Sequence, residues 1–216
     1  MNASHVITAV CFARLDVGHE LENSNPQIIG AATFSGSIQG GIVTFALHTA
    51  VLTAKDPGEG LIPWLETRLG DDRTTLAGFE LKESVRLLKT LPRARSSAAV
   101  RNLGGRGRTI IDMGADKDGE PITLGECCAE LSIPCATPDP ARDFIGWCTG
   151  RGEKIVDTLQ LDVIAVWRLA MHQIAARSSL GFRVHEVIEG HLATWLRAAD
   201  FPAAAVHLEA LPSAQL

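Results

Sequence analysis

Tyrosine is absent from this chain, and aromatic residues of every kind make up only 5% of it. The missing phenol excludes chemistry in which a tyrosine orients water or moves a proton. No apolar run reaches the roughly 18 residues that a membrane-spanning helix needs. The opening segment, "MNASHVITAV", has no basic region ahead of a long apolar core, so no secretory signal is expected and the cytoplasm is the expected location. Short catalytic signatures are missing as well. "HEVIEGH" over 185–191 is not H-E-x-x-H, no G-x-S-x-G occurs, and "GGIVTF" and "GGRGR" lack the strand–G-x-G-x-x-G–helix context of a dinucleotide site. Metalloprotease, α/β-hydrolase and nucleotide-loop chemistry are therefore not expected.

Cysteine is scarce and odd in number. The five are Cys11, Cys127, Cys128, Cys135 and Cys148, which argues against a disulfide framework. The C-C-x6-C-x12-C spacing contains no C-x-x-C knuckle. It reads as small apolar residues on helix faces, with zinc the alternative.

What is present suits one globular domain. The chain has 216 residues, 46% of them apolar, and a net charge of −5. That is enough to bury a core and too acidic for a dedicated nucleic-acid coat. Residues 5–14, 27–36 and 40–48 read as three short strands, with Gly40-Gly41 as a turn. A helix over 57–70, a strand over 74–81 and a helix over 82–91 follow, and this alternation predicts parallel pairing. Residues 91–108 are the least regular stretch, and 109–115 a short strand. Helices are predicted over 122–133, capped by Thr123, and over 139–151, 152–177 and 184–199. The expected architecture is α/β: an antiparallel meander leading into parallel strands in one mixed sheet, flanked by helices, with a helical C-terminal half. One domain covers 1–216, with a core of about 5–178, a helical extension of about 184–200 and a loose tail over 201–216.

Charge is unevenly placed. From Ser84 to Ile111 there is no acid and there are seven bases: Arg86, Lys89, Arg93, Arg95, Arg101, Arg106 and Arg108. Such a run suits sequence-independent contact with phosphates. The alternative is a solvated loop, or one paired with the acids of 112–120. No aromatic residue lies in the run, so base stacking is not expected there.

Three segments carry a resemblance. In "LIPWLETRLGDDRTTLAGFELKESVRLL" (61–88), Gly78-Phe79 and Leu87-Leu88 fit a strand and helix that elsewhere carry Gly-[His/Phe]-Asn and a helix Asp. In "RTIIDMGADKDGEPITLGECCAELSIPC" (108–135), Asp112, Leu124, Leu131, Ile133 and Pro134 fit a strand–helix pattern. In "WCTGRGEKIVDTLQLDVIAVWRL" (147–169), Ile155, Asp162 and Val163 fit a final helix. In this order they resemble the DEDD-type 3′–5′ exonucleases of the ribonuclease H-like superfamily. The resemblance spans most of residues 5 to 170.

The resemblance implies a ribonuclease H-like fold and a site where four carboxylates hold two Mg²⁺ or Mn²⁺ ions beside a Tyr or His. This chain departs from that set. Ala13 and Leu15 replace the Asp-x-Glu of the first strand, Glu80 the Asn, Ser84 the helix Asp, and Thr158 the Tyr. The His of a subgroup would fall at Asp157. Only Asp162 keeps its carboxylate, as the candidate catalytic and metal-binding residue. The first expectation is a degenerate exonuclease that acts by binding single-stranded DNA or RNA, or a protein partner. The second is an active exonuclease with a relocated cage of Asp16, Glu80 and Asp162, with Glu20 or Glu22 behind. The third is a scaffold, or a homodimer, that never meets nucleic acid. Accordingly either no cofactor is expected, or Mg²⁺ or Mn²⁺ if activity remains; no membrane partner is expected.

Overall fold

A computed structural model describes residues 5–16, 25–54, 59–71, 74–105, 107–115, 118–177 and 181–211. Five strands form one sheet: β1 (His5–Asp16), β2 (Pro26–Gln39), β3 (Ile42–Val51), β4 (Thr75–Gly78) and β5 (Ile110–Asp112), in the order β3-β2-β1-β4-β5. β1, β2 and β3 are an antiparallel meander closed by the Gly40-Gly41 turn, where φ is 59° and 83°. β4 runs parallel to β1, and β5 parallel to β4. The mixed sheet expected from the sequence is present. The meander strands are longer than expected, because their hydrogen-bonded ladders run on beyond the apolar runs that announce them.

Helices cover both faces. On one side lie α1 (Leu61–Leu69), α2 (Leu81–Leu88) and α3 (Ala98–Leu103), around Leu65, Leu76, Leu88 and Val100. A 3₁₀ turn over Ala94–Ser96 precedes α3, so the stretch expected to be irregular is partly helical. Ser97 caps α3 by accepting from the Val100 amide. The other side carries α4 (Leu124–Glu130), α5 (Pro140–Cys148), α6 (Glu153–Ala175), α7 (Gly181–Ala198) and α8 (Pro202–Glu209). Thr123 caps α4 in a capping box with Glu126, as expected. All five cysteines are free thiols. Among the described residues no helix is long and apolar enough to cross a membrane.

α6 lies across β1, β2 and β3. Residues 163 to 171 are all buried, on every side of the helix. One side meets the sheet, and α7 and α8 cover the other, which is why its pattern, Arg168 apart, is apolar all round. Trp167 sets the spacing: its indole rests on Gly36 of β2 and donates to the Ile7 carbonyl at 3.2 Å. Phe34 and Phe45 meet it edge-on, and Trp195 packs at a tilt against those two phenylalanines.

The loose tail expected over 201–216 is corrected by α8; 212–216 lie outside the described residues. Pro202 suits the first helical turn, the alanines after it favour helix, and Ala203, Ala204 and His207 are buried. His207 is fully buried and its Nε2–H donates to the Leu161 carbonyl at 2.9 Å.

Two predictions follow from this packing. A methyl group at Gly36 would meet Trp167 Cζ2 at 2.5 Å. Gly36→Ala should therefore lower unfolding stability by about 1–3 kcal/mol in denaturant titration. Burial lowers the His207 pKa to about 4. Between about pH 6.5 and 4 the unfolded chain takes up a proton that native His207 refuses. Its contribution is thus present above pH 6.5 and lost as pH falls, by about 3 kcal/mol at most. His207→Gln should flatten the pH dependence of stability across that window.

Candidate functional site

β1, β4 and β5 point the same way, so their C-terminal ends share one rim of the sheet. There β1 has an antiparallel neighbour on one side and a parallel one on the other. Ligand crevices in open α/β sheets form where the strand order reverses like this. Three loops meet at this rim.

The turn from β4 into α2 is tight. Glu80 occupies the left-handed region with φ 49°, unusual for a residue with a side chain. Asp112, at the end of β5, holds the turn: its carboxylate accepts from the Leu81 amide at 3.1 Å and the Gly114 amide at 3.3 Å. Gly114 is needed beside it, because a Cβ there would meet the Glu80 amide nitrogen at 2.8 Å.

Arg14 of β1 reaches across to this turn. Its guanidinium pairs with the Glu80 carboxylate, donates to the Glu80 carbonyl at 3.2 Å, and donates to the Ser84 hydroxyl at 2.9 Å. Ser84 is fully buried, and its hydroxyl donates to the Glu80 carbonyl at 3.2 Å. So Ser84 and the strand segment Ala13–Leu15, about 70 residues apart in sequence, are joined by one cation. Leu15 is 2% exposed in the apolar core and has no part in the rim's chemistry.

Asp162 projects from α6 into a cavity of about 140 Å³ shared with Cys11, Ala13, Arg14, Asp143 and Thr158. The structure therefore brings together Ala13, Thr158 and Asp162, which the sequence had put in one site. Asp162 accepts from the Ala136 amide at 2.8 Å. Burial pushes its carboxyl up to about 6, against that hydrogen bond and aided by the nearby Asp143. Burial also raises Asp143. Asp143, from α5, is a site residue that the sequence reading missed; its only signal was its place near the start of a predicted helix. The thiol of Cys11 is pushed well up by burial, then by Asp162.

The other acids turn elsewhere. A register shift does occur between Ala13 and Arg14, yet Asp16 stays at the strand end and accepts from the Asn25 amide at 2.8 Å. Glu80 is held by Arg14. Neither lines the cavity of Asp162. Glu20 and Glu22 lie outside the described residues. Among the described residues no three His, Cys, Asp or Glu side chains are grouped to hold a metal ion. A pair of Mg²⁺ or Mn²⁺ ions does not fit what stands here, because a guanidinium occupies the ground between the positions where carboxylates would be required.

The basic run divides into several fates. Lys89, Arg95 and Arg101 are exposed and line a groove of about 720 Å³ beside α2 and α3. Lys82, outside the run, joins them. Arg86 pairs with Glu83 on its own helix. Arg108 is fixed to the carbonyls of Thr74 at 2.6 Å and Leu69 at 3.1 Å. Arg93 is exposed in a left-handed turn residue, and Arg106 lies outside the described residues. The floor of the groove is apolar, from Val85, Val100 and Leu103, and Asp112 closes one end.

The raised carboxyl of Asp162 gives a test of its environment. A pKa held above the unfolded value means native Asp162 keeps a proton that the unfolded chain releases between about pH 4 and 6, so stability falls as pH rises through that window. Asp162→Asn keeps an acceptor for the Ala136 amide and removes the buried charge. It should be more stable than the parent at pH 7.5 by about 1–3 kcal/mol, with the gap closing at pH 4. Paired denaturant titrations at the two pH values measure this.

No family model, no curated protein and no solved structure matches this chain.

Proposed function

We propose that this protein is a ribonuclease H-like domain, related to the DEDD-type 3′–5′ exonucleases, that binds single-stranded nucleic acid without hydrolysing it. The observation that carries the reading is the Arg14–Glu80–Ser84 network at the strand-order reversal. The positions where the resemblance implies metal-binding acids are held by Ala13, Leu15 and Ser84, and a fixed cation bridges the strand to the helix. A positive charge there stabilises without metal what carboxylates and Mg²⁺ would otherwise balance. The sheet order β3-β2-β1-β4-β5, with its antiparallel and parallel halves, supports the superfamily reading.

Binding is assigned to the groove of Lys82, Lys89, Arg95 and Arg101. Four cations and one acid border it in a chain of net charge −5. Arginine meets phosphate through paired donors and stays charged at any working pH. The groove offers aliphatic side chains and no aromatic ones, so a nucleotide would be held by its backbone with a sugar or base edge against Val85 and Leu103. Such contact carries little sequence preference.

Fluorescence anisotropy with labelled oligo-dT and oligo-rU tests the binding. If three or four phosphates are engaged, log affinity should fall against log salt with a slope of about −2 to −3. The triple variant Lys89→Glu, Arg95→Glu, Arg101→Glu should weaken binding by at least about tenfold. The same oligonucleotides, end-labelled and incubated with Mg²⁺ or Mn²⁺, should keep their length. Stepwise shortening that disappears in Asp162→Ala would overturn the non-catalytic half of the proposal. Binding that ignores salt and the triple variant would overturn the rest.

A further inference from the structure

β3 is an edge strand, with β2 on one side and no described strand on the other. Its register with β2 fixes which backbone groups are left over. The two-residue Gly40-Gly41 turn is closed by the pair Gln39 and Ile42, which in such a hairpin exchanges both hydrogen bonds. Every second residue from there, Thr44, Ala46 and His48, also turns its amide and carbonyl towards β2. The Leu52 amide, in the same phase, donates to the Ile29 carbonyl at 2.6 Å. The amides and carbonyls of Val43, Phe45, Leu47 and Thr49 therefore point outwards, and no described residue pairs with them.

Proteins blunt such an edge with prolines, bulges, charges or short strands. β5, at the opposite edge, is three residues long. β3 has ten residues, "IVTFALHTAV", without proline, glycine, lysine, arginine or acid, and its pairing with β2 has no break in register. Its one ionisable side chain, His48, is held below the usual histidine range by burial and then by Arg68, so the strand is uncharged at neutral pH. Ile42, at its start, is 67% exposed. α7 extends this face. It lies beside α6 and over β3: Glu189 meets Arg168 of α6, and Trp195 packs on Phe45. By helical spacing Val184, Val187 and His191 fall on the flank away from α6, and all three are exposed.

We infer that β3 and this flank of α7 form a homodimer interface, in which β3 pairs antiparallel with β3 of a second copy about a two-fold axis at Ala46. Three features select a second copy over a foreign strand. The register is self-complementary: outward groups meet outward groups, Phe45 faces Leu47 of the second copy, Thr44 faces its His48 and Ile42 its Ala50, and no charge meets its own image. A bare peptide would leave Val184 and Val187 wet, whereas a two-fold axis normal to the sheet brings the second copy's α7 to the same side, against them. The size also suffices. Ten residues at about 3.4 Å each, in a strand-plus-helix layer about 20 Å deep, give roughly 700 Å² per copy, close to the ~800 Å² per partner of a standard interface. The joint lies at the opposite edge of the sheet from the groove of Lys89 and Arg101 and does not depend on nucleic-acid binding.

Sedimentation of the full chain tests this, in reductant so that the exposed Cys148 cannot link copies. It should give twice the 23.1 kDa of one chain at about 100 μM, with dissociation towards about 1 μM. Amide hydrogen exchange reads the joint itself. In the dimer the Val43, Phe45, Leu47 and Thr49 amides should exchange as slowly as those of Thr44, Ala46 and His48, and on dilution only the first set should quicken. Ala46→Lys sets like charges together at the axis and should weaken the dimer by about fivefold or more, with the outward amides fast and the inward ones still slow. Val187→Glu, at a side chain 61% exposed, is a second variant that leaves the sheet untouched; it should weaken the dimer by about tenfold or more. The inference is overturned if the folded chain stays monomeric at about 100 μM, which would leave the edge to an extended peptide of another protein. It is equally overturned if dimers form while the outward amides stay fast, or if both variants dimerise like the parent.

Discussion

The seating of α6 on the sheet turns on the contact between Trp167 and Gly36. The bare glycine lets the indole sit directly on the middle of β2, and that sets how closely α6 approaches the sheet. Phe34 and Phe45 from the sheet close around the same ring, and Trp195 from α7 packs on those two phenylalanines. Close packing leaves little freedom once such a ring is seated. α6 then carries Asp162 to the strand ends at one end and packs Arg168 against Glu189 of α7 further along.

At the rim of the sheet one cation holds two elements together. Carboxylates that hold hard cations repel one another and need the metal to keep them together. A guanidinium between two elements provides the same cross-link from within the chain. Arg14 ties β1 to the start of α2 through a carboxylate, a carbonyl and a hydroxyl. Glu80 tolerates a left-handed backbone because Asp112 and Gly114 hold the turn around it. Asp162 faces a small cavity, and burial there raises its carboxyl.

Most of the architecture was legible in the sequence, and the reasons are local. β-branched runs, the Gly40-Gly41 turn, the Thr123 cap and the strand–helix alternation each carry their signal within a few residues. The helix α8 was missed because "PAAAVHLEAL" has alanine where periodicity would show a face, and its burial comes from α6 and α7. The meeting of Ala13, Thr158 and Asp162 was legible only through the resemblance. The role of Arg14 was not, because nothing along β1 says which helix its guanidinium will reach. Lys82 was passed over because Glu83 follows it and breaks the basic run, although the two side chains leave α2 in different directions. Arg108 looked like a free base in sequence, and the fold uses it to hold the carbonyls of Leu69 and Thr74.

The Trp167 indole donates to Ile7 across 160 residues of chain. The meander is therefore made early and its covering helix late. At ordinary synthesis rates of about 5–20 residues per second, the interval from the end of β3 to the end of α6 is on the order of 6–25 s. During that time Phe34, Ile29 and Ala32 have no partner layer, and the three strands present a wet apolar face. A nascent chain of this protein is thus longest exposed to aggregation just before α6 emerges, and the ribosome-associated state, more than the finished fold, is where a chaperone has something to hold.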